Sequence, residues 1–152
     1  MGRFFMSIST LSDLKSAVND FNANHLRPHG QISLTQQVQT IPGTQATWPS
    51  NEFPGVYVFI DFDGNINYIG KASNNIGARI AARFDTKWNS KTPESKECFG
   101  ILTIQLPKNV FFEASAIEEF LLRHLTTKFN QIGNSKNTTL TDVRRANFKK
   151  EK

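Results

Sequence analysis

A chain of 152 residues with one cysteine, two tyrosines and 20% charged residues is defined first by what it withholds. Cys98 has no second cysteine to pair with, so no internal disulfide can form, and a reducing, cytoplasmic setting is expected. No apolar run approaches the roughly 20 residues that a membrane-spanning helix needs, so no membrane partner is expected. The opening "MGRFFMSIS" is too short in apolar residues for a secretory leader. Met6 also stands where a myristoylation signal needs Ser or Thr. Acidic residues are outnumbered, 13 against 18 basic, for a net charge of +5. The excess is local: residues 135–152 hold six basic side chains against two acidic, whereas residues 51–134 hold nine of each. Such a tail suits a polyanion, although a solvated terminus has the same composition.

Phe, Ile, Leu and Val are plentiful, and the length fits one domain with decorated ends. Three parts are expected: an N-terminal helical extension and linker over 1–50, a central domain over 51–134, and the basic tail over 135–152. In residues 9–26, Leu11, Leu14, Val18 and Phe21 recur at helical steps until Pro28 and Gly30 intervene. "ISLTQQVQTI" is only mildly β-like, and "PGTQATWPSNEFPG" reads as a linker. The segment 75–84 puts Ile76, Ile80 and Phe84 on one helical face, with Arg79 and Arg83 on another. "FGILTIQL" reads as a strand. Residues 113–128 read as a strong helix with Ala114, Ile117, Leu121 and Leu125 inward, and "TDVRRANFKK" as a short basic helix.

Both tyrosines sit in "FPGVYVFIDFDGNINYIGKA". Asp63-Gly64 fits a two-residue type I′ hairpin turn. That turn sets Phe62 opposite Asn65, Phe59 opposite Tyr68 and Tyr57 opposite Gly70. Tyr57, Phe59, Tyr68 and Gly70 then share one sheet face, while Val56, Val58, Ile60 and Ile69 share the other. Tyr is a good strand residue, so packing alone would also suit it here.

The triplets Gly55-Val56-Tyr57 and Tyr68-Ile69-Gly70, with Lys71 behind them, Arg79 on the next helix and "EEFLLR" from Glu118 onward, resemble the GIY-YIG nuclease family over about residues 53–130. The resemblance implies an α/β fold: a small three-stranded sheet flanked by helices, with the N-terminal helix as an addition. It implies a metal-dependent endonuclease that hydrolyses DNA phosphodiesters using one Mg²⁺ or Mn²⁺. Tyr57 would help deprotonate the attacking water, and Tyr68 would bond near the scissile phosphate. Arg79 would stabilise the phosphate, Lys71 would assist, Glu118 would hold the metal, and Asn130 would complete the set. The chemistry suits these types, because hydrolysis builds negative charge that a guanidinium and a carboxylate-held cation stabilise. A single carboxylate suffices for Mg²⁺, which keeps most of its waters.

Arg83 stands where relatives carry His or Tyr. It cannot accept a proton, so phosphate binding is its expected role, shared with Lys136, Arg144 and Arg145 of the tail. Glu113 and Glu119 rival Glu118 as carboxylates. His124 reads as a packed histidine near the apolar face, and Cys98 as incidental. The alternative to a nuclease is a nucleic-acid-binding module without catalysis. Residues 86–98 or the tail would supply any sequence recognition, since no zinc-finger spacing is present.

Overall fold

The computed structural model describes residues 7–130 of the chain. The expected basic helix at 141–150 and the tail residues Lys136, Arg144 and Arg145 lie outside the described residues. The fold is α/β. Four antiparallel strands, β1 (Val38–Gln39), β2 (Gly55–Ile60), β3 (Ile66–Ala72) and β4 (Gly100–Gln105), form a sheet in the order β1-β4-β2-β3. Helices α1 (Leu11–Asn24), α2 (Ile76–Ala81) and α3 (Glu113–His124) cover it. The three-stranded sheet expected from the sequence is thus corrected by one strand. The polar stretch 32–41 supplies it, through β1 and an isolated bridge from Leu34 to Ile104. Its alternation was too weak to read, because only two residues pair regularly with β4.

Central β2 is buried along its whole length, as befits a strand covered on both faces. Val56, Val58 and Ile60 face one core with Ile66 and Ile69 of β3, and α1 and α3 cover that core. Tyr57 and Phe59 face the other, covered by α2 with Ile76 and Ile80. Leu14, Ala17, Val18 and Phe21 of α1 belong to the first core, so the N-terminal helix is built into the same hydrophobic interior as the sheet. A capping box starts α1: the Thr10 hydroxyl accepts from Asp13 N, and the Asp13 carboxylate accepts from Thr10 N.

The hairpin turn differs from the expected type I′. Gly64 N donates to Asp61 O at 3.1 Å and Asp61 N donates to Asn65 O at 2.9 Å, so the loop is Phe62-Asp63-Gly64. Only Gly64 takes a positive φ there, +85°, which is the three-residue loop with a glycine bulge. The Asp61 carboxylate stabilises it by accepting from the backbone N–H groups of Asp63 and Asn65. A second irregularity follows, where Ile60 faces Ile66 but Phe59 faces Tyr68, with Asn67 as the extra residue. The two offsets cancel. Below the bulge, Tyr57 lies opposite Gly70 and Phe59 opposite Tyr68, as the sequence predicts.

The glycine of the first triplet has a separate cause. Gly55 sits at φ +147°, and a Cβ there would run into the Ile104 carbonyl oxygen, with Ile76 Cδ1 at 3.0 Å. Only a glycine lets β2 and β4 approach here.

Helix α3 ends at His124, short of the expected 128. The chain turns to lie along β3, the edge strand: Lys128 N donates to Ile66 O and Phe129 N to Asn67 O. An open edge is thereby closed by the chain itself. Among the described residues, no helix is long and apolar enough to cross a membrane.

Candidate functional site

The Tyr57 and Tyr68 rings lie on one sheet face with centroids 6.1 Å apart. Tyr57 is fully buried and Tyr68 half-buried. The Tyr57 phenol crosses directly over Gly70. A Cβ on Gly70 would meet ring Cε2 at 2.8 Å, and Cζ and the hydroxyl oxygen closer still. The glycine of the second triplet is therefore the seat of the first triplet's tyrosine.

The Tyr57 hydroxyl is buried and has no hydrogen-bond partner in regular geometry among the described residues. Burial pushes its pKa up to about 12; Arg83 pulls it down, Tyr68 pushes it up, and Arg79 pulls it down. The phenol is thus neutral at pH 7. A buried hydroxyl without a regular hydrogen bond costs free energy, and Asn67 of β3 is buried in the same state with both side-chain polar atoms.

Helix α2 carries Arg79, and the turn beyond its C-cap Ala82 carries Arg83, so the helix is shorter than the expected 75–84. Asn75 caps it, its side chain accepting from Ala78 N, and Gly77 lets Asn51 pack within 3 Å of where a Cβ would sit. Arg79 is exposed and makes no ion pair among the described residues; its guanidinium approaches the Tyr57 hydroxyl and pulls its pKa down, though not in regular hydrogen-bond geometry. Arg83, one turn on, is turned inward. Its guanidinium carbon stands 5.5 Å from the centroid of each tyrosine ring, and Nε lies 2.9 Å from Glu94 Oε2, out of line for a hydrogen bond.

Helix α3 packs on the opposite sheet face but reaches past the edge of β3. Lys71, which shares that face with Val56, donates from Nζ to Ser115 Oγ at 2.9 Å. Glu118 follows Ser115 by three residues and lies half-buried on the same side of the helix. Burial raises its pKa, with Lys71 and Arg79 pulling the other way. The three candidate carboxylates now separate. Glu113 is ion-paired with Arg27, and Glu119 with Arg123 one turn on; Glu118 has no ion-pair partner among the described residues. Glu118 is thus the carboxylate left open beside two cations.

Asn130 is brought near the site but points at backbone. Its Oδ1 accepts from Ile69 N at 2.6 Å, and its Nδ2 donates to Ile69 O at 2.9 Å. Thr127 holds it from the other side, the Thr127 hydroxyl bonding to Oδ1 and accepting from Asn130 N. The side-chain amide acts as a substitute strand, fixing β3 between Tyr68 and Gly70.

His124 corrects the expectation of a packed histidine: it is exposed, stacked on the Phe120 ring at 4.0 Å. Cys98 is half-buried, and burial pushes its thiol up to about 12, which makes it unreactive. Glu94 and Ser115 were missed in the sequence. Nothing in spacing ties Glu94 to Arg83 across an irregular loop, and Ser115 stands out only once Glu118 is placed on the helix.

Among the described residues, no group of three or more His, Cys, Asp or Glu gathers to hold a metal. The donor set at Glu118 is a single carboxylate open to one side. That fits Mg²⁺, which takes one or two carboxylates and fills its shell with water and substrate oxygens. No family model, curated protein or solved structure matches the chain.

Proposed function

We propose that this chain is a metal-dependent endonuclease that hydrolyses DNA phosphodiester bonds at the edge of β3. The observation that carries the reading is the convergence of complementary groups from four elements. The buried Tyr57 hydroxyl and the Glu118 carboxylate, which has no ion pair among the described residues, both feel Arg79, with Tyr68 beside Tyr57 and Lys71 acting on Glu118. The buried phenol and the half-buried carboxylate are costly where they stand, whereas the exposed Arg79 is solvated and open to an anion. Together they suit a phosphodiester, whose oxygens need donors and whose hydrolysis needs charge stabilisation.

Arg79 and Lys71 would bind the phosphate oxygens, one from each side of β3. Glu118 would hold one Mg²⁺ or Mn²⁺, which when bound supplies positive charge at the reacting oxygens. Burial raises the pKa of Glu118, and a bound cation would pull it back down. Tyr68, half-exposed, would donate to a phosphate oxygen. Tyr57 is fully buried, so it would meet the attacking water only once the side chains above it part for substrate, accepting its hydrogen bond as a neutral phenol. It becomes a base only as positive charge gathers beside it, the direction in which Arg79 and Arg83 already pull. Asn130 keeps β3 in register so that the two phenols stay together.

The test is direct. Purified protein incubated with supercoiled plasmid and Mg²⁺ should nick it, and a chelator should stop the reaction. One observation favours a second reading, a nucleic-acid-binding module without catalysis: full burial of Tyr57 keeps its phenol neutral. DNA binding with no cleavage in Mg²⁺ or Mn²⁺, on duplex, branched or single-stranded substrates, would establish that reading instead.

A further inference from the structure

The geometry points to Arg83 as a positioning residue, a cationic clamp that holds the Tyr57 and Tyr68 phenols together and is itself held by Glu94 of the 86–98 loop. This rests on the reading above only in treating the two phenols as the reaction centre.

The sequence places Arg79 and Arg83 on one helical face and assigns both to phosphate, but the helix ends at Ala81 and Arg83 stands in the turn after it. Their surroundings separate them. Arg79 is exposed, whereas the Arg83 side chain is 15% exposed. The Arg83 guanidinium is equidistant, at 5.5 Å, from two rings whose centroids are 6.1 Å apart. A cation so placed is attracted to both ring faces and opposes their separation. Two of its nitrogens are engaged elsewhere: Nη1 donates to Arg79 O at 2.8 Å, and Nε stands 2.9 Å from Glu94 Oε2. A phosphate would have to displace these contacts to reach it.

The loop is fastened to Arg83 at its backbone as well. Lys91 N donates to the Arg83 carbonyl at 2.9 Å, and the Ser95 hydroxyl donates to the same oxygen at 3.0 Å. Ser95 is buried and also bonds to Ser90 and Thr92, so Glu94 sits on a braced turn beside its arginine. Arginine suits this place because its flat guanidinium is always charged, weakly hydrated and able to stack and fork at once. Lysine could supply the charge but not the two-sided contact.

The charged and titratable groups facing the phenols are Arg79 from α2, Arg83 from the turn after it, and each other from β2 and β3, with Glu94 behind Arg83. The chain has two tyrosines, so a tyrosine probe reports this site alone. Protein grown with fluorotyrosine should give two fluorine NMR resonances, which need no substrate to be read. In Arg83→Met, the Tyr57 titration should move to higher pH, as expected for loss of a nearby cation, and both resonances should shift or broaden as the rings come free. In Glu94→Gln the Tyr57 titration should move to lower pH, because the arginine loses its counter-charge. Arg83→Lys should keep the Tyr57 titration near wild type yet broaden or split both resonances, since charge stays and the clamp is lost. On plasmid, Arg83→Met should lower kcat with KM nearly unchanged.

Opposite results would overturn the inference. Unmoved titrations in both Arg83→Met and Glu94→Gln would do so. So would a raised KM together with a log K against log salt slope flatter by about 0.9, the mark of a lost phosphate contact. If Arg83→Met fails to fold, Glu94→Gln decides by the sign of its shift. A wild-type chain inert on DNA whose titrations still shift as described would sink the nuclease reading and support the clamp.

Discussion

Tyr57→Phe is expected to make the protein more stable and less active. The substitution removes one oxygen from a ring that is fully buried. That oxygen has no hydrogen-bond partner, and a buried unsatisfied polar group costs about 1–3 kcal/mol. Against this stands a void the size of one atom over Gly70 and the loss of its van der Waals contacts, together worth up to about 1 kcal/mol. The net gain is on the order of 1 kcal/mol. For 152 residues, an unfolding entropy of about 2 cal/mol/K per residue makes that a rise in Tm of about 3 °C. Urea unfolding should agree, with a higher midpoint and an unchanged slope. Cleavage should meanwhile fall by about 10²- to 10⁴-fold if the phenol handles the proton of the attacking water. The opposed signs identify a residue kept for function at a cost in stability. A variant less stable than wild type by 1 kcal/mol or so would refute the reasoning, because the hydroxyl would then be satisfied in solution. A variant that gains stability and still cleaves would leave the orphan real but remove Tyr57 from the chemistry.

Alkaline unfolding offers a related check. The folded-state pKa of Tyr57 is about 12 against 10.0 for the free side chain, so the unfolded chain releases this proton first. Its contribution is intact below pH 10 and is lost as pH rises toward 12, a change of about 2–3 kcal/mol that Tyr57→Phe should abolish. Glu118 follows the same sign in the acid range: its pKa is raised by burial, so stability falls as pH climbs through its titration, and Glu118→Gln should unfold later than wild type at neutral pH without metal. The same variant should lose cleavage, partly recoverable with excess Mg²⁺, whereas Tyr57→Phe should not recover. Gly70→Ala should cost about 1–3 kcal/mol and most of the activity, because the added methyl collides with the Tyr57 ring. Gly64→Ala, at φ +85° but with open space around it, should cost about 1 kcal/mol and leave cleavage untouched.

What could be read from sequence follows the range of the interactions involved. The alternation in β2 and β3 is a local pattern of period two, and it placed the phenols on one face and the aliphatic residues on the other. The turn itself was misread, since Asp-Gly suits both a two-residue loop and the last positions of a three-residue loop. The register survived because Asn67 restores the residue that the longer loop displaces. Strand β1 had only the mild β-like signal of residues 32–41, as its two residues gain their extended form from pairing with β4. The end of α3 was overextended because Leu125 is apolar at helical spacing, yet the chain leaves the helix there to close the edge of β3.

The site shows the same limit more sharply. Residue types were legible, because phenol, guanidinium and carboxylate at those spacings suit phosphate chemistry. Their states were not. Glu113, Glu118 and Glu119 lie within seven positions on one helix, and only the distant Arg27 and the neighbouring Arg123 reveal which two are neutralised. Arg79 and Arg83 are alike in sequence, and only Glu94, reached across an irregular loop, turns the second inward. Availability depends on partners far along the chain, so it emerges with the fold and not with the motif. Tyr57 and Asn67 of the sheet each bury side-chain polar atoms without a regular hydrogen-bond partner among the described residues, and Glu118 of α3 has no ion pair there. Burial alone therefore does not single out Tyr57. What does is its neighbour: Arg79 pulls on both the Tyr57 phenol and the Glu118 carboxylate, so groups on the two faces of the sheet feel one exposed cation that a bound anion would neutralise.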